Sequence, residues 1–143
     1  MNSKATATAR IVLGLVFLVN GLNGFLHFMP QPSLGGAAAQ FMTGLTASGY
    51  FFPLLSATQA IVGAALLSSR FVPLALTVLA PIIVNIVAVH VFLEPAGLPL
   101  AVLVLGLELF LAWSYRAAFR PLLRARSTRE VRPTATTRTG LAA

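Results

Sequence analysis

Long uncharged runs of apolar residues dominate the chain and predict membrane-spanning helices. The clearest is 71–93, which follows Arg70, ends before Glu94 and has an apolar interior interrupted only by Asn85 and His90. A helix rises about 1.5 Å per residue, so this run can cross a hydrocarbon core about 30 Å thick. A helix of a soluble protein would instead keep a polar face along its whole length. The run is therefore predicted to span a membrane.

Three other apolar runs have the same character, and the four predicted spans are 9–28, 53–69, 71–93 and 98–115. A shorter helical stretch at 37–48 is too short to cross and is predicted to lie in the membrane interface. The predicted fold class is therefore all-α: an integral membrane four-helix bundle with a short interfacial helix between the first and second spans. The membrane domain is expected to occupy residues 1–124.

Small side chains recur every four residues along the second span, at Ser56, Ala60, Ala64 and Ser68. Such a stripe lets a second helix approach closely, which is how membrane helices associate without a hydrophobic driving force between them. The sequence predicts helix packing along this stripe.

Composition and charge agree with a membrane protein that has a basic tail. Hydrophobic residues make up 57% of the chain and charged residues 9%, and the net charge is +7. Seven of the ten cations follow the last apolar run, beginning with Arg116, Arg120, Arg124 and Arg126. Segment 125–143 lacks the apolar residues that a core needs, so it is predicted to be disordered. Its expected partner is anionic lipid at the cytoplasmic surface, and not nucleic acid.

The distribution of cations also predicts orientation. Lys4, Arg10, Arg70 and the arginine tail all fall on one side of a four-span arrangement, whereas the connections on the other side contain no Lys or Arg. Since cytoplasmic loops carry the excess of positive residues, both termini are expected in the cytoplasm.

Polar side chains inside the spans are the candidate site residues, because such groups are costly in a bilayer. They are Asn20, Asn23 and His27 in the first span, Gln59 in the second, Asn85 and His90 in the third, and Glu108 in the fourth. Counting residues from the cytoplasmic cations puts Asn20, Gln59 and Glu108 at similar depth near the midplane. Glu108 is the strongest candidate and is expected to face the bundle beside the other two.

Several of these residues also have structural interpretations. Amides in membrane helices often only bond neighbouring helices, and His27 and His90 could simply be solvated near the far surface. Asn85 and His90 lie about 140° apart on a straight helix, so both cannot face the first span. The two histidines could ligate a haem, but nothing else in the sequence marks a haem pocket. The absence of cysteine excludes disulfides, thiolate nucleophiles and cysteine-ligated iron–sulfur clusters.

Five phrases carry a family resemblance: GLNGFLHFMPQP (21–32), GYFFPLL (49–55), RFVPLAL (70–76), LAPIIVNIVAVHVFLEPAGLPLA (79–101) and YRAAFRPLL (115–123). In these phrases the chain resembles the DoxX family of small four-span membrane proteins. The resemblance implies a four-helix bundle in the bacterial plasma (inner) membrane. Some relatives are linked with thiosulfate or quinol oxidation and with oxidative-stress complexes. Many relatives have a glutamate where this chain has Gln59, which weakens a proton-transfer role at that position.

Three functions follow from these features. The first is a membrane subunit that binds a quinone or other small amphipathic molecule inside the bundle and serves a redox partner. Glu108 and Gln59 would bond a ring oxygen, and protons would pass through Asn23 and His27. The sequence shows no redox centre or catalytic motif, so electrons would come from the partner. The alternatives are a non-catalytic scaffold that holds other proteins or further copies of itself, and a small transporter, which the short chain without an evident repeat favours less.

Overall fold

The computed structural model describes residues 3–30 and 33–121, and these residues form helices without any strand. The helices are α1 (Ser3–Leu26), α2 (Gly36–Ala47), α3 (Phe51–Leu67), α4 (Val72–Phe92), α5 (Leu98–Ser114) and α6 (Arg116–Phe119). A short 3-10 turn, Pro95–Gly97, joins α4 to α5. The predicted all-α class is confirmed. The predicted tail, 125–143, lies outside the described residues together with Arg124 and Arg126.

Three segments are long and apolar enough to cross a membrane alone: α1, α4, and α5 together with the preceding 3-10 turn. Their mean hydropathies are 1.7, 2.4 and 2.0 respectively. The α2 and α3 helices meet at a bend of 90° and qualify as a fourth span only when taken together. With 17 residues, α3 alone is about 25 Å long. The chain is thus a membrane protein with three to four spanning helices.

The observed helices end within two residues of the predicted spans, except that α1 begins at Ser3 and not at residue 9. The sharp bend between α2 and α3 is the geometry required for a helix along the membrane surface to continue into a crossing helix. Large apolar side chains such as Ile61 and Leu74 are exposed on the outside of the bundle. Exposure of this kind suits a protein whose surrounding solvent is lipid.

Helices α1 and α3 pack backbone against backbone. A Cβ built on Gly21 would overlap the backbone of Ser56 and Ala60, and one built on Gly63 would overlap the backbone of Leu18. Close approach therefore occurs at the first two residues of the predicted small-residue stripe. Its other two residues, Ala64 and Ser68, are exposed. The contact continues instead through Gly63, because α1 crosses that side of α3.

Arg10 joins the start of α1 to the end of α3. Its Nη1 atom donates a hydrogen bond to the carbonyl oxygen of Leu66 and, at 3.3 Å, to that of Leu67. The last carbonyls of a helix lack partners within the helix, and they carry its negative dipole end. A cation that was expected to report only orientation therefore also caps a neighbouring helix. The bond places the first and second spans antiparallel, and the α4–α5 hairpin brings Arg70 and Arg116 to the same end as Arg10.

The core is continuous along the bundle. Its fully buried side chains are Leu13, Phe17, Leu66, Leu76, Leu79, Ile83 and Leu111. At the Arg10 end, Tyr115 and Phe119 pack against this cluster. Arg116 stacks over the Trp113 ring at 5.1 Å, and its Nη1 atom donates to the Trp113 carbonyl oxygen at 3.1 Å.

Candidate ligand cavity

A cavity of about 320 Å³ lies between α1, α3, α4 and α5, in the half of the bundle away from Arg10. Five polar side chains line it: Asn20, Asn23, Ser56, Gln59 and His90. Apolar side chains complete the wall, among them Phe17, Phe52 and Ile86. The cavity is partly open to the outside, since the Asn20 in its wall is exposed. A concave, largely apolar space with a few polar groups is typical of small-molecule sites in helix bundles.

Helical spacing accounts for the polar wall. Asn20 and Asn23 are three residues apart on α1, and Ser56 and Gln59 have the same separation on α3, so each pair shares a helix face. The contact between Gly21 and Ala60 draws these two faces together. The cavity therefore depends on the glycine contact for its geometry.

Asn23, in the last turn of α1, fixes the chain that follows the helix as well as lining the cavity. Its side chain is only 6% exposed, and Oδ1 accepts a hydrogen bond of 2.7 Å from the Met29 backbone amide. Its Nδ2 group bonds no other described residue. Asn23 thus holds the chain where it leaves the helix and keeps two N–H donors for a ligand.

Asn20 on α1 and Gln59 on α3 both line the cavity, and they differ in hydrogen-bonding capacity. Asn20 Nδ2 donates to the Val16 carbonyl at 2.8 Å, which leaves Oδ1 as an acceptor. Gln59 is half-buried, and within residues 3–30 and 33–121 no hydrogen bond to its side chain is found. A primary amide in this position can donate and accept at once.

His90 lies at the far end of the cavity with a defined ring orientation. Its Nδ1 atom is 2.9 Å from the Glu94 carbonyl oxygen, which can only accept, so Nδ1 carries the hydrogen. In the neutral ring Nε2 is then an acceptor. Gly97 lies directly against the ring, and a Cβ there would overlap it. The connection between α4 and α5 thus positions His90: Glu94 provides the hydrogen bond and Gly97 of the 3-10 turn provides the space.

The structure does not place the remaining candidates in the cavity wall. His27 lies just beyond α1, exposed, with φ of 51°, and its amide donates to the Asn23 carbonyl at 2.8 Å. It forms the left-handed end of the helix. Asn85 is exposed on the outer face of α4. Of the seven predicted site residues, four line one cavity: Asn20, Asn23, Gln59 and His90.

Glu108 is buried in the apolar core behind the cavity. Its side chain is 5% exposed, and it shares a face of α5 with the buried residues Val104 and Leu111. It faces the bundle, as expected from its depth. The expected pairing with Gln59 and Asn20 is not formed: Oε2 has no hydrogen-bond partner among the described residues. Val104, one turn away, lines the cavity where Glu108 does not.

Ser56 is a wall residue that the polar pattern of the sequence did not single out, because it was interpreted only as a small residue. It is 6% exposed, and a Cβ on Gly24 would overlap its Oγ atom. Its position three residues before Gln59 is the signal that could have identified it.

A second depression of about 270 Å³ lies on the outside of α3 and α4. Its wall is apolar apart from Thr58, whose Oγ1 atom donates to the Leu54 carbonyl at 2.8 Å. No polar atom is left there to orient a ligand. Within the part of the chain that the structure describes, no three His, Asp or Glu side chains form a group that could hold a metal ion.

Comparison of the chain with protein-family models, with curated proteins and with solved structures finds no significant match. The DoxX resemblance therefore stays a prediction from the five phrases, and function has to be argued from the cavity.

Proposed function

We propose that this DoxX-like protein binds a quinone or another small amphipathic molecule in the cavity and serves, as a membrane subunit, a redox partner. The observation that carries the proposal is Gln59, a half-buried amide without a hydrogen bond to another described residue, on the wall of a cavity inside a membrane protein. A polar group in such a place is costly unless a partner satisfies it.

The polar groups of the cavity match the oxygens of a quinone or quinol. Asn23 Nδ2 and the Gln59 amide can donate to a quinone carbonyl, whereas Asn20 Oδ1 and His90 Nε2 can accept from a quinol hydroxyl. The rings of Phe17 and Phe52 supply flat apolar surface for the body of the ligand. A volume of about 320 Å³ accommodates a single ring.

The role of the chain in this proposal is binding. It has no cysteine for an iron–sulfur cluster, and its sequence contains no flavin or metal motif, so the partner would supply the electrons. Glu108 is left out of the direct ligand contacts because it does not line the cavity.

The test measures, by calorimetry, the binding of a soluble quinone analogue with one isoprenoid unit. The purified protein is held in lipid nanodiscs. Gln59→Leu should weaken binding roughly tenfold, since hydrogen bonds to the buried ring oxygen are lost. Thr58→Val is the matched control, because Thr58 is the adjacent residue and faces away from the cavity. Wild-type protein that does not bind the analogue, or equal binding by Gln59→Leu, would favour the scaffold function.

We further propose that both termini face the cytoplasm of a bacterial plasma membrane. The support is the clustering of Lys4, Arg10, Arg70 and Arg116 at one end of the bundle. Reporter fusions placed after Arg124 and within 35–36 should report opposite sides of the membrane. Matching signals from both would contradict this orientation.

The arginine tail is proposed to bind anionic lipid, because each such residue near an acidic surface contributes about 1 kcal/mol. A peptide of residues 116–143, which includes Arg120, Arg124 and Arg126, should bind acidic vesicles and dissociate as salt is raised. Binding that does not depend on salt would point to a specific protein partner.

A further inference from the structure

Asn85 presents an amide to the outside of the bundle at the depth of the hydrocarbon. It is exposed on α4, thirteen residues after Val72 and seven before Phe92. These separations correspond to about 20 Å and about 10 Å along the helix, so lipid headgroups are out of reach at both ends. Within the described residues no hydrogen bond to the Asn85 side chain is found. Acyl chains cannot supply one.

Asn85 is the last of three exposed residues that form a line along α4. Thr77, Pro81 and Asn85 follow one another at intervals of four residues, and all three are exposed. Pro81 has no backbone N–H, so the Thr77 carbonyl lacks its usual partner within the helix. The Thr77 hydroxyl is already used, since it donates to the Pro73 carbonyl at 2.9 Å. One face of the most apolar helix thus carries an unpaired amide and a backbone carbonyl without its helical donor.

We propose that a second copy of this chain packs against this face of α4, with the two Asn85 side chains hydrogen-bonded to each other. A primary amide is self-complementary because it donates and accepts, and a two-fold axis places the same residue opposite itself. The face contains no charge that would require a complementary partner. The small Ala88, three residues after Asn85 and on the same side of the helix, allows the two helices to approach closely.

This interface is separate from the ligand cavity. Ile86 and His90 face the cavity, whereas Asn85 lies about 100° and about 140° away from them around the helix. Dimerisation therefore does not depend on the proposed ligand, and either proposal can fail without the other.

The first experiment counts subunits of the purified full chain in liposomes by single-molecule photobleaching over a range of protein-to-lipid ratios. Wild-type protein should be dimeric at high ratio, and Asn85→Leu should weaken dimerisation about 5- to 30-fold. Asn85→Gln should restore part of the association because it keeps the amide. The control is Val102→Leu, on the exposed face of α5.

The second experiment uses the absence of native cysteine. Ala88→Cys, three residues after Asn85 and on the same side of the helix, should form a disulfide-linked dimer in liposomes under mild oxidation, whereas Val102→Cys should not. The proposal is overturned if the wild type is a single copy at every protein-to-lipid ratio. That result would indicate that Asn85 contacts a different protein. Unchanged dimerisation of Asn85→Leu, or equal cross-linking at both cysteine positions, overturns it as well.

Discussion

Gly21 of α1 lies directly against the backbone of Ala60 of α3, so no side chain separates the two helices at this point. A Cβ on Gly21 would also be 2.7 Å from the Ser56 carbonyl oxygen. Two turns earlier, Gly14 meets the α3 segment around Gly63, where an added Cβ would be 2.8 Å from the Gly14 carbonyl oxygen. Glycines seven residues apart lie on one face of α1, and they allow the contact that shapes the cavity.

Gly21→Ala is expected to destabilise the protein by about 1–3 kcal/mol, because the new methyl group meets backbone atoms that cannot rotate away. The measurement is the free energy of unfolding in detergent micelles. Gly106→Ala is the matched control in α5, since a Cβ there has nothing within 4 Å. It should be neutral or stabilise by up to about 1 kcal/mol through helix propensity. Equal effects of the two substitutions would contradict close α1–α3 packing.

Arg10→Met should lower the free energy of unfolding by about 1.5–3 kcal/mol, the range for a hydrogen bond to a charged group. The substitution keeps an apolar stem of similar length but removes the donor to the Leu66 and Leu67 carbonyls. Lys4→Met removes a cation from the same end of α1, where Lys4 is exposed. If Lys4→Met were as destabilising as Arg10→Met, net charge would be responsible and not the cap on α3.

Glu108→Leu is expected to leave stability unchanged or to raise it. The buried Oε2 atom has no hydrogen-bond partner among the described residues, and an unsatisfied buried polar atom costs about 1–3 kcal/mol. Thermal unfolding of Glu108→Leu, with Glu108→Gln beside it, measures this directly. A loss of more than about 1 kcal/mol in the leucine variant would show that the acid has a partner, such as buried water.

Gly97→Ala tests how the 3-10 turn positions His90. The backbone of Gly97 has φ of −85°, which alanine adopts freely, so the substitution acts through the overlap of its Cβ with the His90 ring. Binding of the quinone analogue should weaken roughly two- to tenfold, the value of one hydrogen bond, with little change in stability. Gly44→Ala, where a Cβ meets nothing within 4 Å, should bind as the wild type does. Unchanged binding by Gly97→Ala would exclude His90 from ligand contact.

The sequence by itself determined the helices and their environment. Hydropathy is a property of each segment, and Pro and Gly residues mark where the segments end. Spans such as α4 could therefore be placed within one residue of their observed ends. The 90° bend between α2 and α3 is similarly marked by Gly49 and the aromatic residues after it. These features need no knowledge of the neighbouring helices.

The tertiary structure alone decided which polar residues meet. Counting along the helices put Glu108 at the depth of Gln59 and Asn20, but depth does not specify rotation about the helix axis. Packing turns Glu108 into the apolar core with Val104 and Leu111.

Rotation also separated residues that share one helix. It places His90 at the cavity and Asn85 on the outside, because the face that α4 buries is set by Leu79 and Ile83 packing on their neighbours. The glycines of α1 set the distance to α3, and that distance made Ser56 and Gln59 into one wall with Asn20 and Asn23. A linear pattern cannot contain these relations, since each depends on side chains that lie far away along the chain.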